Sequence, residues 1–226
     1  MAVAVLPRPA RHATSTAMTR IAAILAASVA VIGIGTMSYV ALRGGDADPF
    51  AGCRGGAVAT GTASIGGPFT LVDGSGARVT DAEAITRPTL LYFGYTFCPD
   101  FCPNDLSRNA LAADILAEQG EDVGLVFVTI DPDRDTPEAM DAYARAIHPD
   151  MLGLSGTAEE IAAAAKAYRV YARKSGDDPE FYLMDHSTFT YLAAPGHPFL
   201  EFYASDATPE AIAESVACYA KALEGQ

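Results

Sequence analysis

At 226 residues, 50% hydrophobic and with a formal charge of −13, the chain is long enough for a membrane segment plus one good-sized domain. The charge is uneven. No Asp or Glu precedes Asp46, while Arg8, Arg11, Arg20 and Arg43 lie before it; the remaining 11 basic residues face 28 acidic ones, a formal −17 for residues 46–226 that excludes nucleic acid as a partner.

Ile21 to Leu42 runs for 22 residues without a charge, long enough to cross the ~30 Å hydrocarbon core of a bilayer. A cleaved signal peptide and an organellar transit peptide are rival readings, and both also export the domain. Against the signal peptide, the run exceeds the usual apolar stretch and is followed by Arg43-Gly44-Gly45 rather than a small-x-small site. More arginines precede the span than follow it, so residues 1–20 are expected in the cytoplasm and the domain outside. The expected organisation is a cytoplasmic segment (1–20), a transmembrane helix (21–42), a Gly-, Ala- and Asp-rich linker (43–64) and one domain (65–226).

Within the domain, Phe69–Val72 and Ala77–Val79 flank Asp73-Gly74-Ser75-Gly76, a hairpin signal. Leu90–Tyr95 is a near-continuous apolar strand of the kind buried on both faces. It leads into Cys98 and Cys102, each followed by a proline. Thiols at i and i+4 share one face of a helix, prolines suit the entry of a helix, and a helix N-terminus favours thiolate. Leu106, Ala110, Ala113 and Leu116 then recur at helical spacing until Gly120. Val123–Ile130 is a second buried strand, and Thr136-Pro137 caps a helix through Ile147. Met151–Leu154 reads as a short edge strand, and Thr157–Glu160 as a capping box for a helix to about Tyr168. Val170–Lys174 and Phe181–Met184 suggest a strand pair, with His186 in the loop that follows. Thr188–Leu192 and Phe199–Tyr203 are further strands, and Thr208-Pro209 opens the last helix. This alternation predicts an α/β domain with a mixed sheet.

Four cysteines suit an oxidising compartment. Cys53 opens the domain and Cys218 lies in its last helix, so a structural disulfide between them is expected, although spacing alone does not prove pairing. The rival for Cys53 is lipidation, but about ten residues separate it from the apolar run.

The element order, with paired cysteines between the first central strand and its helix, resembles the thioredoxin fold. Its mixed sheet is flanked by helices, here with an N-terminal β-hairpin and a β-hairpin insertion. Three motifs are more specific: Tyr92–Pro103 (YFGYTFCPDFCP), Asp131–Pro137 (DPDRDTP) and Asp185-His186-Ser187. They resemble the Sco (SenC) family over about Ile65 to Tyr219. That resemblance implies a membrane-tethered, thioredoxin-like copper carrier serving the binuclear copper centre of cytochrome c oxidase. The implied partners are the copper-accepting oxidase subunit and other copper carriers or thiol reductases.

On this reading Cys98 and Cys102 are soft ligands for one copper ion per domain, Cu(I), Cu(II) or both. His186 matches the family's histidine ligand; its imidazole nitrogen suits the harder Cu(II). Of the other histidines, His12 precedes the span, and His148 and His197 read as solvated. Asp185 would orient the His186 ring or merely begin a turn. Asp131 would shape the loop near the metal, whereas helix capping alone would account for Asp135 and Thr136. Asp100 is a weak-ligand candidate or a solvated acid, Met184 a core residue, and Tyr92, Phe93, Tyr95 and Phe97 core and site wall. The alternative function is a thiol–disulfide oxidoreductase that keeps the acceptor's cysteines reduced; against it stand the C-x-x-x-C spacing and the absence of a proline in Asp185–Thr188. A bias of 12 Arg to 3 Lys with abundant Ala suits a bacterium of high GC content, hence an inner membrane with the domain in the periplasm; a mitochondrial inner membrane is the second possibility.

Overall fold

The chain builds its sheet outward from two strands with no exposed face. In the computed structural model, which describes residues 48–54, 65–176, 178 and 181–225 together with Ile32 and Gly35, β3 (Thr89–Gly94) and β4 (Gly124–Thr129) are buried at every position and run parallel. β1 (Thr70–Asp73), β2 (Arg78–Thr80), β5 (Met151–Ser155), β8 (Thr190–Ala194) and β9 (His197–Tyr203) complete a seven-stranded mixed sheet in the order β2-β1-β5-β4-β3-β8-β9. A separate two-stranded sheet pairs β6 (Ala172–Ser175) with β7 (Leu183–His186).

β5 is not an edge strand as its shortness suggested. It pairs with β4 on one side and with β1 on the other, because the N-terminal hairpin docks antiparallel onto it. The hairpin turn is made locally: the Asp73 carboxylate accepts from the N–H groups of Ser75 and Ala77, and Gly76 takes φ 81°.

The helices start where their caps stand. α1 (Asp81–Ala84) is a single turn with a Thr80/Glu83 capping box, absent from the sequence reading because no apolar run follows it. α2 (Phe101–Glu118) buries Leu106, Ala110, Ala113 and Leu116 and ends near Gly120, whose φ of 85° stops the turn. α3 (Pro137–Ile147), α4 (Ala158–Ala167) and α5 (Pro209–Glu224) are capped by the Thr136, Thr157 and Thr208 side chains. α2 lies against α5, and α3 against β5 and β1.

Part of the expected linker belongs to the domain, whose compact unit runs from Pro49 to Gln226. Phe50 is buried between His197 and Tyr219, with ring centroids 5.2 and 5.6 Å away. Cys53 is joined to Cys218 by a disulfide with a Cα–Cα distance of 5.5 Å, so its sulfur is not available for lipid attachment. The expected cytoplasmic segment 1–20, transmembrane run 21–42 and the rest of the linker lie outside the described residues, save helical Ile32 and Gly35. Among the described residues no helix is long and apolar enough to cross a membrane.

Candidate metal centre

β3 delivers the chain to a turn in which the Cys98 N–H donates to the Tyr95 carbonyl (3.2 Å), and α2 begins at Phe101. The two sulfurs therefore do not share a helix face: Cys98 precedes the helix, and Cys102 is buried in its first turn. What brings them together is the bend, which points the Cys102 backbone N–H at the Cys98 Sγ (3.4 Å). Gly94 makes room: a Cβ there would lie 2.7 Å from the Cys102 Sγ and 2.9 Å from the Tyr92 ring.

Cys98 and Cys102 are free thiols with one negative charge between them. The Cys102 S–H and the backbone N–H groups of Asp100 and Cys102 stabilise the Cys98 thiolate against its partial burial, lowering its pKa to about 3. The Cys98 thiolate and burial push Cys102 the other way, so it keeps its proton. Because the lowered pKa leaves Cys98 ionised above about pH 4, its alkylation by iodoacetamide should be nearly constant from about pH 5 to 8. An ordinary thiol slows about tenfold per pH unit in that range; mass-spectrometric rates showing that decline would refute the assignment.

His186 is the last residue of β7, not a loop residue, paired with Ala172 across the hairpin. Its Nδ1 lies 2.7 Å from the Ser187 carbonyl oxygen. A carbonyl only accepts, so Nδ1 carries the proton and Nε2 presents its lone pair, 3.6 Å from the Cys102 Sγ. The two sulfurs and a His186 ring nitrogen lie within 4.8 Å of one another. The expected orienting role of Asp185 is not seen: its side chain is exposed on alternating β7, and a backbone carbonyl holds the ring instead.

The hairpin carrying His186 is tied down from several directions. Tyr95 Oη accepts from the Met184 N–H (3.2 Å), and the Ser187 and Tyr171 N–H groups bond across its base. Asp131 lies away from the metal group but anchors this segment: its carboxylate accepts from Arg134 (2.6 Å) and from the Tyr182 hydroxyl (2.6 Å). Arg134 also donates to the Tyr182 carbonyl and stacks 3.6 Å over the Tyr182 ring. The Tyr92 and Tyr95 rings meet His186 edge-on at 6.4 and 5.8 Å.

Other expectations divide. Asp135 does not cap a helix; it is fully buried and accepts from the Thr96 N–H, the Thr96 hydroxyl and the Thr129 hydroxyl, pinning the cysteine turn to β4. Thr136 alone is the cap. Asp100 is exposed at the start of α2 and accepts from Asn104. Phe97 is 57% exposed rather than core, and its ring lies 4.6 Å from the Arg134 guanidinium. Met184 is half-buried against the core. His148 lies 3.3 Å from the Asp114 carboxylate and His197 begins β9, both half-buried rather than solvated; neither joins the metal group. His12 lies outside the described residues.

A buried polar network went unread in the sequence. Asp105 accepts from the Tyr92 hydroxyl (2.9 Å) and pairs with Arg108 (3.0 Å), which donates to Thr190 and the Ala204 carbonyl; Asn109 and Ser205 extend it. It ties the Cys102 helix to the chain that follows His186. The signal was present as Asp105 and Arg108 at i, i+3 beside an apolar stripe, where a charge pair reads by default as surface.

Two sulfurs and one imidazole nitrogen form a soft donor set, fitted to copper in either oxidation state and poorly fitted to oxygen-seeking ions. Comparison with known proteins agrees with that chemistry. The SCO1/SenC family model matches residues 57–221. Protein SenC of Rhodobacter capsulatus is 49% identical over 210 residues, spanning 91% of this chain and 93% of that protein. The mitochondrial SCO1 homolog 1 of Arabidopsis thaliana is 41% identical over 157 residues, 69% of this chain but only 47% of the longer relative. The crystal structure of Arabidopsis thaliana ScoI with copper bound superposes with a TM-score of 0.66 at 39% identity, covering 72% of this chain and 99% of that one. The mixed sheet and its helices are thus the thioredoxin-like architecture of those structures.

Proposed function

The chain belongs to the SCO1/SenC family, and from that premise we propose that it is a copper carrier for the assembly of cytochrome c oxidase. The observation that carries this reading is the convergence of Cys98, Cys102 and His186 within 4.8 Å, with the ring nitrogen held in its ligating tautomer by Ser187. Cys98 offers a ready thiolate, Cys102 gives up its proton as the ion arrives, and His186 completes the set. Copper is cargo here. It leaves by ligand exchange with an acceptor's thiolates, each new sulfur replacing one of the chain's own. The run 21–42 would tether the domain to the inner membrane, facing the periplasm, within reach of the acceptor subunit that builds the binuclear copper centre.

Copper loading of the purified chain tests this. One bound copper and a thiolate-to-copper charge-transfer band in the Cu(II) form are expected. His186→Ala should weaken Cu(II) by at least about a hundredfold, more than loss of an outer partner of a ligand costs, and Cu(I) less, because the harder ion loses its best-matched ligand; equal loss of both would remove the ring from that role. The depressed pKa of Cys98 also favours a second reading, thiol–disulfide exchange with the acceptor. Metal-free protein that turns over disulfides while failing to hold copper would establish it instead.

A further inference from the structure

A groove of about 600 Å³ adjoins the pocket of about 390 Å³ at the metal ligands, and nothing in copper binding accounts for it. It runs between α4 and the β6–β7 hairpin. Its floor is apolar, with Ile130, Ile161 and Ala165 contributing, and its rim carries Lys166, Arg169, Arg173 and Lys174. These are four of the 11 basic residues that residues 46–226 set against 28 acidic ones. Two acids also line the groove: Asp131 is answered from outside the lining by Arg134 and the Tyr182 hydroxyl, and Asp133 by Lys174 at 3.5 Å, a pair that cancels one rim cation and leaves the balance of the lining positive. A cationic rim above an apolar floor, on a domain of strongly negative charge, is complementary to an acidic chain that also carries apolar side chains.

The groove and the metal pocket share a wall. Tyr171 and Met184 line both, and the hairpin that contributes Arg173, Lys174 and Met184 to the groove also carries the ligand His186, two residues on from Met184. We propose that this groove docks an extended acidic segment of the protein with which the chain exchanges copper, placing that partner's ligands beside Cys98 and His186. The proposal rests on the copper-carrier reading for the partner's identity, and on the groove alone for its charge.

The test uses the full chain, metal-free, in neutral detergent, and a fluorescein-labelled 12-residue peptide of alternating Glu and Leu. Fluorescence anisotropy should show binding that weakens with salt and falls at least about tenfold in the K166E/R173E double variant. K221E, on α5, should bind as the parent does. No binding, equal binding of the matching Lys–Leu peptide, or an unchanged K166E/R173E would overturn the proposal. So would binding confined to vesicles containing phosphatidylglycerol, which would assign the rim to a membrane surface. The probe holds no thiol and the chain no metal, so the outcome is separable from copper loading. A chain that binds the peptide but no copper would overturn the carrier reading and leave an acidic docking groove standing.

Discussion

Replacing either Cys98 or Cys102 by alanine is expected to abolish tight copper binding. Loss of an outer partner of a metal ligand already costs about 10- to 100-fold in affinity, so loss of a thiolate from a three-ligand set should cost more than about a hundredfold. The two variants should fail for different reasons. Cys98→Ala removes the resident thiolate and the partner that pushes the Cys102 thiol up. Cys102→Ala removes the buried sulfur packed against Gly94 and deprives Cys98 of the S–H that most stabilises its charge. Competition against a copper chelator of known affinity reads the effect, and thermal melting confirms that each variant folds. A variant that still holds one copper as tightly as the parent would end the two-thiolate model.

Replacing both Cys53 and Cys218 by serine is expected to cost stability and leave copper binding intact. The bond closes a sequence separation of 165 residues, for which the chain-entropy relation gives about 5 kcal/mol, and measured losses of native disulfides run from about 2 to 5 kcal/mol. The bond also holds the segment bearing Phe50, whose ring is buried against Tyr219 of α5. Urea unfolding of the oxidised parent and of the C53S/C218S variant measures the difference. A difference below about 0.5 kcal/mol would mean the segment is held by packing alone, and loss of copper at unchanged fold would mean the two cysteine pairs are not independent.

Much of this molecule is legible locally. The apolar run Leu90–Tyr95 became β3 because no position in it tolerates water, and threonine caps with a following proline or glutamate placed the starts of α3, α4 and α5. Local signals failed where the answer depended on distant chain. β5 is short and looks like an edge, yet a hairpin some 80 residues earlier covers it. Asp135 stands beside a cap residue, yet its carboxylate is spent on Thr96 and Thr129.

At the metal centre the division follows the same line. The donor set was legible before the fold: two thiols at the end of a buried strand, and a histidine that the family resemblance, not its residue type, singled out. Tertiary structure decided the geometry. A bend before α2, rather than a helical repeat, brings the sulfurs together, a backbone carbonyl rather than Asp185 orients His186, and Asp131 serves by clamping Tyr182 through Arg134. The physical reason is that donor softness belongs to a side chain wherever it stands. Which acceptor a ring nitrogen meets, and which charge a buried carboxylate answers, are set by neighbours that only folding supplies.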